Sequence, residues 1–99
     1  MVKVRVTFVG LIQRLIGSSE EVVTLPRETT LGTLLQELIT RFGPELEKRL
    51  LENGDLASSV IVLVNGRNAL GQGGLRAKLS DGFQSQVEIV VLGPPLMGG

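Results

Sequence analysis

The amino-acid sequence predicts an α+β domain in which one amphipathic helix packs against one face of a mixed β-sheet. Residues 2–9 alternate between apolar and polar side chains, which is typical of a half-buried strand. Residues 31–42 carry an apolar stripe at helical spacing. Two valine-rich runs, residues 60–64 and 87–92, have the composition of buried strands. The predicted order is strand, strand, helix, strand, short strand, strand.

The first two strands are predicted to form a hairpin with an irregular connection. In residues 2–9 one face is apolar and the other is polar, and the apolar positions are Val2, Val4, Val6 and Phe8. Residues 11–16 form a short apolar piece closed by Gly17, which predicts a turn or a brief helical turn. Residues 21–25 predict the second strand, which Pro26 stops.

The main helix is the best-defined element of the sequence. Thr29 or Thr30 is suited to cap its first turn, because a threonine hydroxyl accepts hydrogen bonds from free backbone N–H groups. The apolar stripe consists of Leu31, Leu34, Leu35, Leu38, Ile39 and Phe42. Gly43 followed by Pro44 ends the helix. The stripe is interpreted as core packing and not as a cofactor site.

The second half of the chain contains further strand and turn signals. Residues 45–52 predict a shorter helix that stops at Asn53-Gly54. Residues 60–64 predict a strand covered on both faces, because every residue in the run is apolar. Asn65-Gly66 is a hairpin-turn signal, and Arg67 begins the return strand. Residues 71–74 predict a flexible loop, Asp81-Gly82 a turn, and residues 87–92 a buried last strand.

The composition argues against several classes of function. The 99 residues include ten basic and ten acidic side chains, which gives no basic face for nucleic acid and no cationic surface for a membrane. The chain has no Cys and no His, so it lacks a thiolate, the commonest general base and the usual metal ligands. These features predict a soluble cytoplasmic protein without a metal site and without catalytic groups of its own.

The C-terminal residues have an unusual composition for a domain end. Pro94 and Pro95 favour an extended path, and Gly98 and Gly99 carry no side chains. A stalk of this kind can pass through a narrow channel and present its terminal carboxylate in a partner's active site. We therefore predict a folded domain in residues 1–93 followed by a flexible tail in residues 94–99.

Together these features resemble the ubiquitin-like β-grasp sulfur carriers of the MoaD/ThiS family, in particular the small subunit of molybdopterin synthase. The resemblance covers essentially the whole chain. It includes the strand ending at Phe8, the helix from Thr30 to Phe42 and Asn65-Gly66, together with residues 79–82 and the Pro-Pro-x-x-Gly-Gly ending at 94–99. The sequence departs from the family at residues 84–86, at Gly93 before the diproline, and in the long segment 70–78.

The resemblance implies that the first and last strands lie side by side in the middle of the sheet. It also implies that the carboxylate of Gly99 is the reactive group. A ubiquitin-activating-type adenylating enzyme would activate it with ATP and Mg²⁺, and a persulfide sulfur donor would convert it to a thiocarboxylate. The large subunit of molybdopterin synthase would then receive the tail. This chain would bind no cofactor and would act as a carrier.

The residues expected to contact these partners lie mostly on the tail. They are Leu92, Pro94, Pro95, Leu96, Met97 and Gly98, together with Arg67 after the hairpin turn. Other functions stay open at this point: a protein modifier that forms isopeptide bonds through Gly99, a sulfur carrier for thiazole or tRNA thiolation, and a purely structural interaction module.

Overall fold

The computed structural model describes residues 2–79 and 85–91, which form a mixed sheet and three helices. The helices are α1 (Leu11–Ile16), α2 (Leu31–Phe42) and α3 (Pro44–Leu50). The strands are β1 (Val2–Gly10), β2 (Glu20–Leu25), β3 (Leu51–Glu52), β4 (Asp55–Leu56), β5 (Val60–Val64), β6 (Arg67–Asn68) and β7 (Ser85–Val91). Five of them form one sheet in the order β2-β1-β7-β5-β6, and β3 and β4 pair separately.

The middle of the sheet is the parallel pair of β1 and β7. Their register runs from Val4 opposite Ser85 to Gly10 opposite Val91. On its other side β7 pairs antiparallel with β5, so β7 is hydrogen-bonded along both edges. The adjacency of the first and last strands, which the family resemblance implied, is therefore confirmed.

The alternation in β1 is present as the sequence predicts. Val2, Val4, Val6 and Phe8 are buried, while Lys3 and Arg5 are exposed. β1 and β2 pair antiparallel, and the irregular connection between them contains α1, which ends at Gly17 with φ 81°. The prediction of a hairpin with a brief helical turn is confirmed.

Helix α2 supplies the layer that covers the inner face of the sheet. The hydroxyl of Thr30 accepts from the backbone N–H of Thr33 at 3.4 Å, which makes Thr30 the N-cap. The buried stripe is Leu31, Leu34, Leu35 and Leu38, with Ile39 and Phe42 packed partly against the core. The helix ends at Gly43, whose φ of 96° favours glycine, and Pro44 then starts α3.

The predicted shorter helix is present as α3, but its predicted end was wrong. α3 stops at Leu50, and Asn53-Gly54 forms the turn of the β3–β4 hairpin. Asn53 has φ 54° and Gly54 has φ 79°, as a tight primed turn requires. The prediction of a loop at residues 71–74 was wrong, because two short 3₁₀ turns, Ala69–Gln72 and Gly74–Arg76, meet there at Gly73. The side-chain oxygen of Asn68 caps the first of these by accepting from the N–H of Leu70 at 2.9 Å.

The prediction that β5 is covered on both faces was also wrong. Val60, Val62 and Val64 are buried, but Ile61 is 37% exposed and Leu63 is half-buried. An all-apolar run hides the alternation of a strand, because the open face looks the same as the covered face. The turn at Asn65-Gly66 is confirmed, with φ angles of 51° and 84°. The predicted turn at Asp81-Gly82 and the tail lie outside the described residues.

Candidate functional site

The two central strands, β1 and β7, terminate side by side at one end of the sheet. Gly10, the last residue of β1, pairs with Val91, the last residue of β7. The chain continues from Val91 into residue 92, so the C-terminal segment is attached at this end of the sheet. We call it the tail root and define it by Gly10 and Val91. A segment attached to a strand that is paired on both sides starts from a fixed point.

An apolar row crosses the uncovered face of the sheet next to the tail root. Val90 of β7 lies opposite Val9 of β1 on one side and opposite Ile61 of β5 on the other. Val9 is 39% exposed, Ile61 is exposed to a similar degree, and Val90 is half-buried. We call these three residues the outer-face row. Neighbouring apolar side chains that stay in contact with water are candidates for burial against a partner.

Polar side chains on the same face lie two residues further from the tail root along β1 and β7. Glu88 of β7 lies opposite Thr7 of β1 and opposite Leu63 of β5. Arg5 on the same face is 3.7 Å from Glu20 of β2, measured from Nε to Oε1. This ion pair is exposed and contributes little to stability. The outer face therefore carries only apolar side chains in the row beside the tail root, and its charged groups Glu88, Arg5 and Glu20 lie further away.

Arg67 lies away from the tail root. It pairs with Val64, which pairs in turn with Val87 at the far end of β7 from Val91. Its side chain is exposed, and its backbone carbonyl accepts from Nε2 of Gln72 at 3.1 Å. The structure thus does not bring Arg67 together with the apolar row, and its role in partner binding stays a prediction.

The other predicted site residues lie outside the described part of the chain. They are Leu92, Pro94, Pro95, Leu96, Met97, Gly98 and Gly99. Their roles, and the boundary between residues 93 and 94, therefore stay predictions. In residues 2–79 and 85–91, no group of three or more acidic side chains is placed to hold a metal ion. Of the helices described, none is long and apolar enough to cross a bilayer.

The outer-face row was missed in the sequence, although one signal for it was present. Val9 follows Phe8 and interrupts the alternation, so it puts an apolar side chain on the otherwise polar face of β1. Ile61 and Val90 gave no such signal, because they lie within continuous apolar runs. Only the strand register brings the three side chains together.

The sheet order, the covering helix and the paired first and last strands define a ubiquitin-like β-grasp domain, which confirms the predicted fold class. A model of the ThiS family matches residues 6–99. The chain therefore belongs to the ThiS family. Comparison with curated protein sequences found no match.

Several solved structures have a similar fold. Urm1 from Trypanosoma brucei has a TM-score of 0.75 and 27% identity, with 98% of this chain and 95% of that chain covered. Small archaeal modifier protein 1 from Methanosarcina acetivorans has a TM-score of 0.77 and 25% identity, covering 100% and 98%. A putative molybdopterin converting factor, subunit 1, from Pyrococcus furiosus has a TM-score of 0.72 and 24% identity, covering 94% and 100%.

Proposed function

We propose that this chain is a sulfur carrier that delivers sulfur for molybdopterin synthesis through a thiocarboxylate on Gly99. The observation that carries the proposal is the extent of the family match, which continues through Gly98 and Gly99. The diglycine end is thus part of the domain shared with the family. The geometry of the tail root supports the proposal as well, because it attaches the reactive segment to a central strand of the sheet that is paired on both sides.

The chemistry follows from the low reactivity of a carboxylate. A carboxylate oxygen of Gly99 would attack the α-phosphorus of ATP and release pyrophosphate, which gives an acyl-adenylate with a good leaving group. A persulfide sulfur would then displace AMP, and cleavage of the resulting S–S bond by a thiol would leave the thiocarboxylate. Mg²⁺ and cationic groups that stabilise the phosphates would belong to the adenylating partner.

The role of this chain would be to dock and to present its terminus. The outer-face row lies beside the tail root, so a partner that buries Val9, Ile61 and Val90 would also receive the segment that follows Val91. Burial of apolar side chains would supply affinity. The same surface would serve the adenylating enzyme and the large synthase subunit in turn, because both must accept the same terminus.

A second candidate function is protein modification through an isopeptide bond between Gly99 and a lysine. The observation that favours it is the similarity to small archaeal modifier protein 1. Both functions begin with the same adenylated terminus and differ only in the nucleophile that attacks it. Sulfur transfer to thiazole or tRNA would also use this activated form, with a different final acceptor.

Intact-protein mass spectrometry tests the proposal. The chain is incubated with the adenylating enzyme from the same organism, ATP, Mg²⁺ and a persulfide donor, and then with the large synthase subunit and the pterin precursor. We expect a mass increase equal to the exchange of one oxygen for sulfur, followed by loss of that sulfur to the pterin. A chain lacking Gly99 serves as the control and should stay unchanged.

Three other results of this experiment would lead to different conclusions about the function. Heavier conjugates linked to lysine would support the modifier function. A thiocarboxylate that forms normally but never passes its sulfur to the pterin would mean that the sulfur acceptor is a different molecule. If the variant without Gly99 is adenylated as well as the full chain, the proposal is wrong.

A further inference from the structure

A small cavity lies between α1 and α3 on the helix-covered side of the domain. Its volume is about 290 Å³, and its lining consists of Leu11, Ile12, Arg14, Leu15 and Arg49. Ile12 is buried and forms part of the apolar floor, whereas Leu15 is 41% exposed. The cavity therefore combines an open apolar surface with two guanidinium groups.

Neither guanidinium group is neutralised within the described residues. In the part of the chain that the structure describes, ion pairs join Arg5 to Glu20, Arg41 to Glu37 and Lys48 to Glu45. None of them includes Arg14 or Arg49, and the lining of the cavity contains no acidic residue. Lys48, the neighbour of Arg49 on α3, is instead paired at 3.6 Å from Nζ to Oε1. The cavity is thus a local site of unbalanced positive charge in a chain with no net charge.

The cavity adjoins the tail root. Leu11 directly follows Gly10, which pairs with Val91, and α1 contacts β7 as well as α3. The outer-face row lies at the same end of the strands, on the uncovered face of the sheet. A protein that receives the C-terminal segment would therefore meet apolar side chains on one side of the tail root and two arginines on the other.

The geometry points to this cavity as a second docking point, for a segment of the receiving protein that carries a carboxylate side chain next to an apolar one. The inference rests on the proposed function, because it assigns the occupant to the protein that activates Gly99. The carboxylate would accept hydrogen bonds from Arg14 and Arg49, and arginine suits this role because its planar fork can bind a carboxylate with two donors. The apolar neighbour would pack on Ile12 and Leu15.

The shape of the cavity favours a protein segment over a free small molecule. Its volume is at the lower end of the range of about 300–1,000 Å³ that is common for ligand pockets. Its polar groups are two long side chains that carry only positive charge. Arginine is enriched at protein interfaces, where a few anchors supply most of the affinity. A single acidic side chain with an apolar neighbour matches both the size and the charge.

Charge reversal with a matched control tests the inference. Arg14→Glu and Arg49→Glu are compared with Lys48→Glu, which makes the same change in charge one residue from Arg49 but outside the cavity lining. Binding of the full chain to the adenylating enzyme is measured by titration calorimetry at several salt concentrations. We expect each cavity variant to bind at least about tenfold more weakly and with a smaller salt dependence, as for a lost interfacial charge pair. Lys48→Glu should change binding less than about threefold.

A second substitution and the activation assay separate the possible failures. Leu15→Asp should weaken binding as well, since it removes apolar surface on which the partner's apolar side chain would pack and adds a carboxylate that competes for the two arginines. Equal effects of Lys48→Glu and the arginine variants would overturn the inference, as would tighter binding by Arg14→Glu, which would mean that the tail of this chain occupies the cavity. If the variants bind normally while deletion of Gly99 abolishes adenylation, only the inference fails. If the unaltered chain is not adenylated at all, the proposed function fails with it.

Discussion

Gly10 and Val91 are paired partners in parallel strands, so the first and last strands of the described sheet stop side by side at the same end. Val91 is also paired with Val60 of β5, which fixes the last strand from its other side. The C-terminal segment therefore starts from a position that the rest of the sheet holds in place. A carrier that must deliver its terminus to more than one active site gains from such an attachment, because less orientational freedom is lost on docking.

The first prediction concerns the outer-face row. We expect Ile61→Asp to weaken binding to the adenylating enzyme at least about tenfold, which corresponds to about 1.4 kcal/mol. The reason is that a carboxylate placed at one end of the apolar row, beside Val90, would be buried by the partner without a countercharge. Val22→Asp is the matched control, since Val22 is an exposed strand valine, 47% accessible, on β2 at the far edge of the sheet.

Titration calorimetry measures the affinity of both variants for the adenylating enzyme, and thermal melting measures their stability. Both variants should lose a similar amount of stability, on the order of 1 kcal/mol, because aspartate is a poor strand residue. Only Ile61→Asp should lose affinity. Equal affinities for the two variants would show that partners dock elsewhere on the domain.

The second prediction concerns the width of the tail. Gly98→Val should block adenylation or the later sulfur transfer, because a β-branched side chain widens the stalk and restricts its backbone. Gly71→Val is a suitable control, since a Cβ atom at Gly71 would meet no other atom within 4 Å. ATP–pyrophosphate exchange and thiocarboxylate formation are measured for both variants. Rates equal to those of the unaltered chain for Gly98→Val would mean that the partner's channel is not narrow.

The third prediction concerns the apolar residues of the tail. The double variant Leu96→Asp and Met97→Asp should weaken binding to the adenylating enzyme or the large subunit at least about tenfold, or about 1.4 kcal/mol. Its Tm should not change, because these side chains follow two prolines and are expected to pack on a partner. Leu70→Asp, at a leucine that is 68% exposed within the 3₁₀ turn Ala69–Gln72, controls for the loss of an exposed apolar side chain. A lowered Tm for the double variant would assign both residues to the core.

The fourth prediction compares two neighbouring threonines before α2. The hydroxyl of Thr29 is buried and finds no hydrogen-bond partner among the described residues, whereas that of Thr30 caps the helix. Thr29→Val should therefore leave stability unchanged or raise it by about 1 kcal/mol, because it removes a desolvated hydroxyl. Thr30→Val should lower it by about 1 kcal/mol through loss of the cap.

Urea denaturation measures both changes in the free energy of unfolding. The two substitutions are chemically identical and lie next to each other, so the difference between their effects isolates the contribution of the hydrogen bond. A loss of stability in Thr29→Val as large as that in Thr30→Val would show that the buried hydroxyl has a partner.

The sequence by itself determined the elements whose signals are local. The stripe from Leu31 to Phe42 has a period that only a helix can place on one face, and Gly43-Pro44 ends it for reasons of backbone geometry. The alternation in β1 and the turn at Asn65-Gly66 are local in the same sense. The family resemblance supplied the adjacency of the first and last strands, which periodicity alone left undetermined.

The tertiary structure decided which apolar side chains remain exposed and which charges remain unbalanced. Val9, Ile61 and Val90 come from three separate segments and become neighbours only through the strand register. Arg14 and Arg49 likewise lie on different helices and meet only through the packing of α1 against α3. A sequence pattern reports the period of one segment, but a surface depends on which segments are paired and which faces they cover. The physical reason is that burial belongs to contacts between segments and not to any one of them.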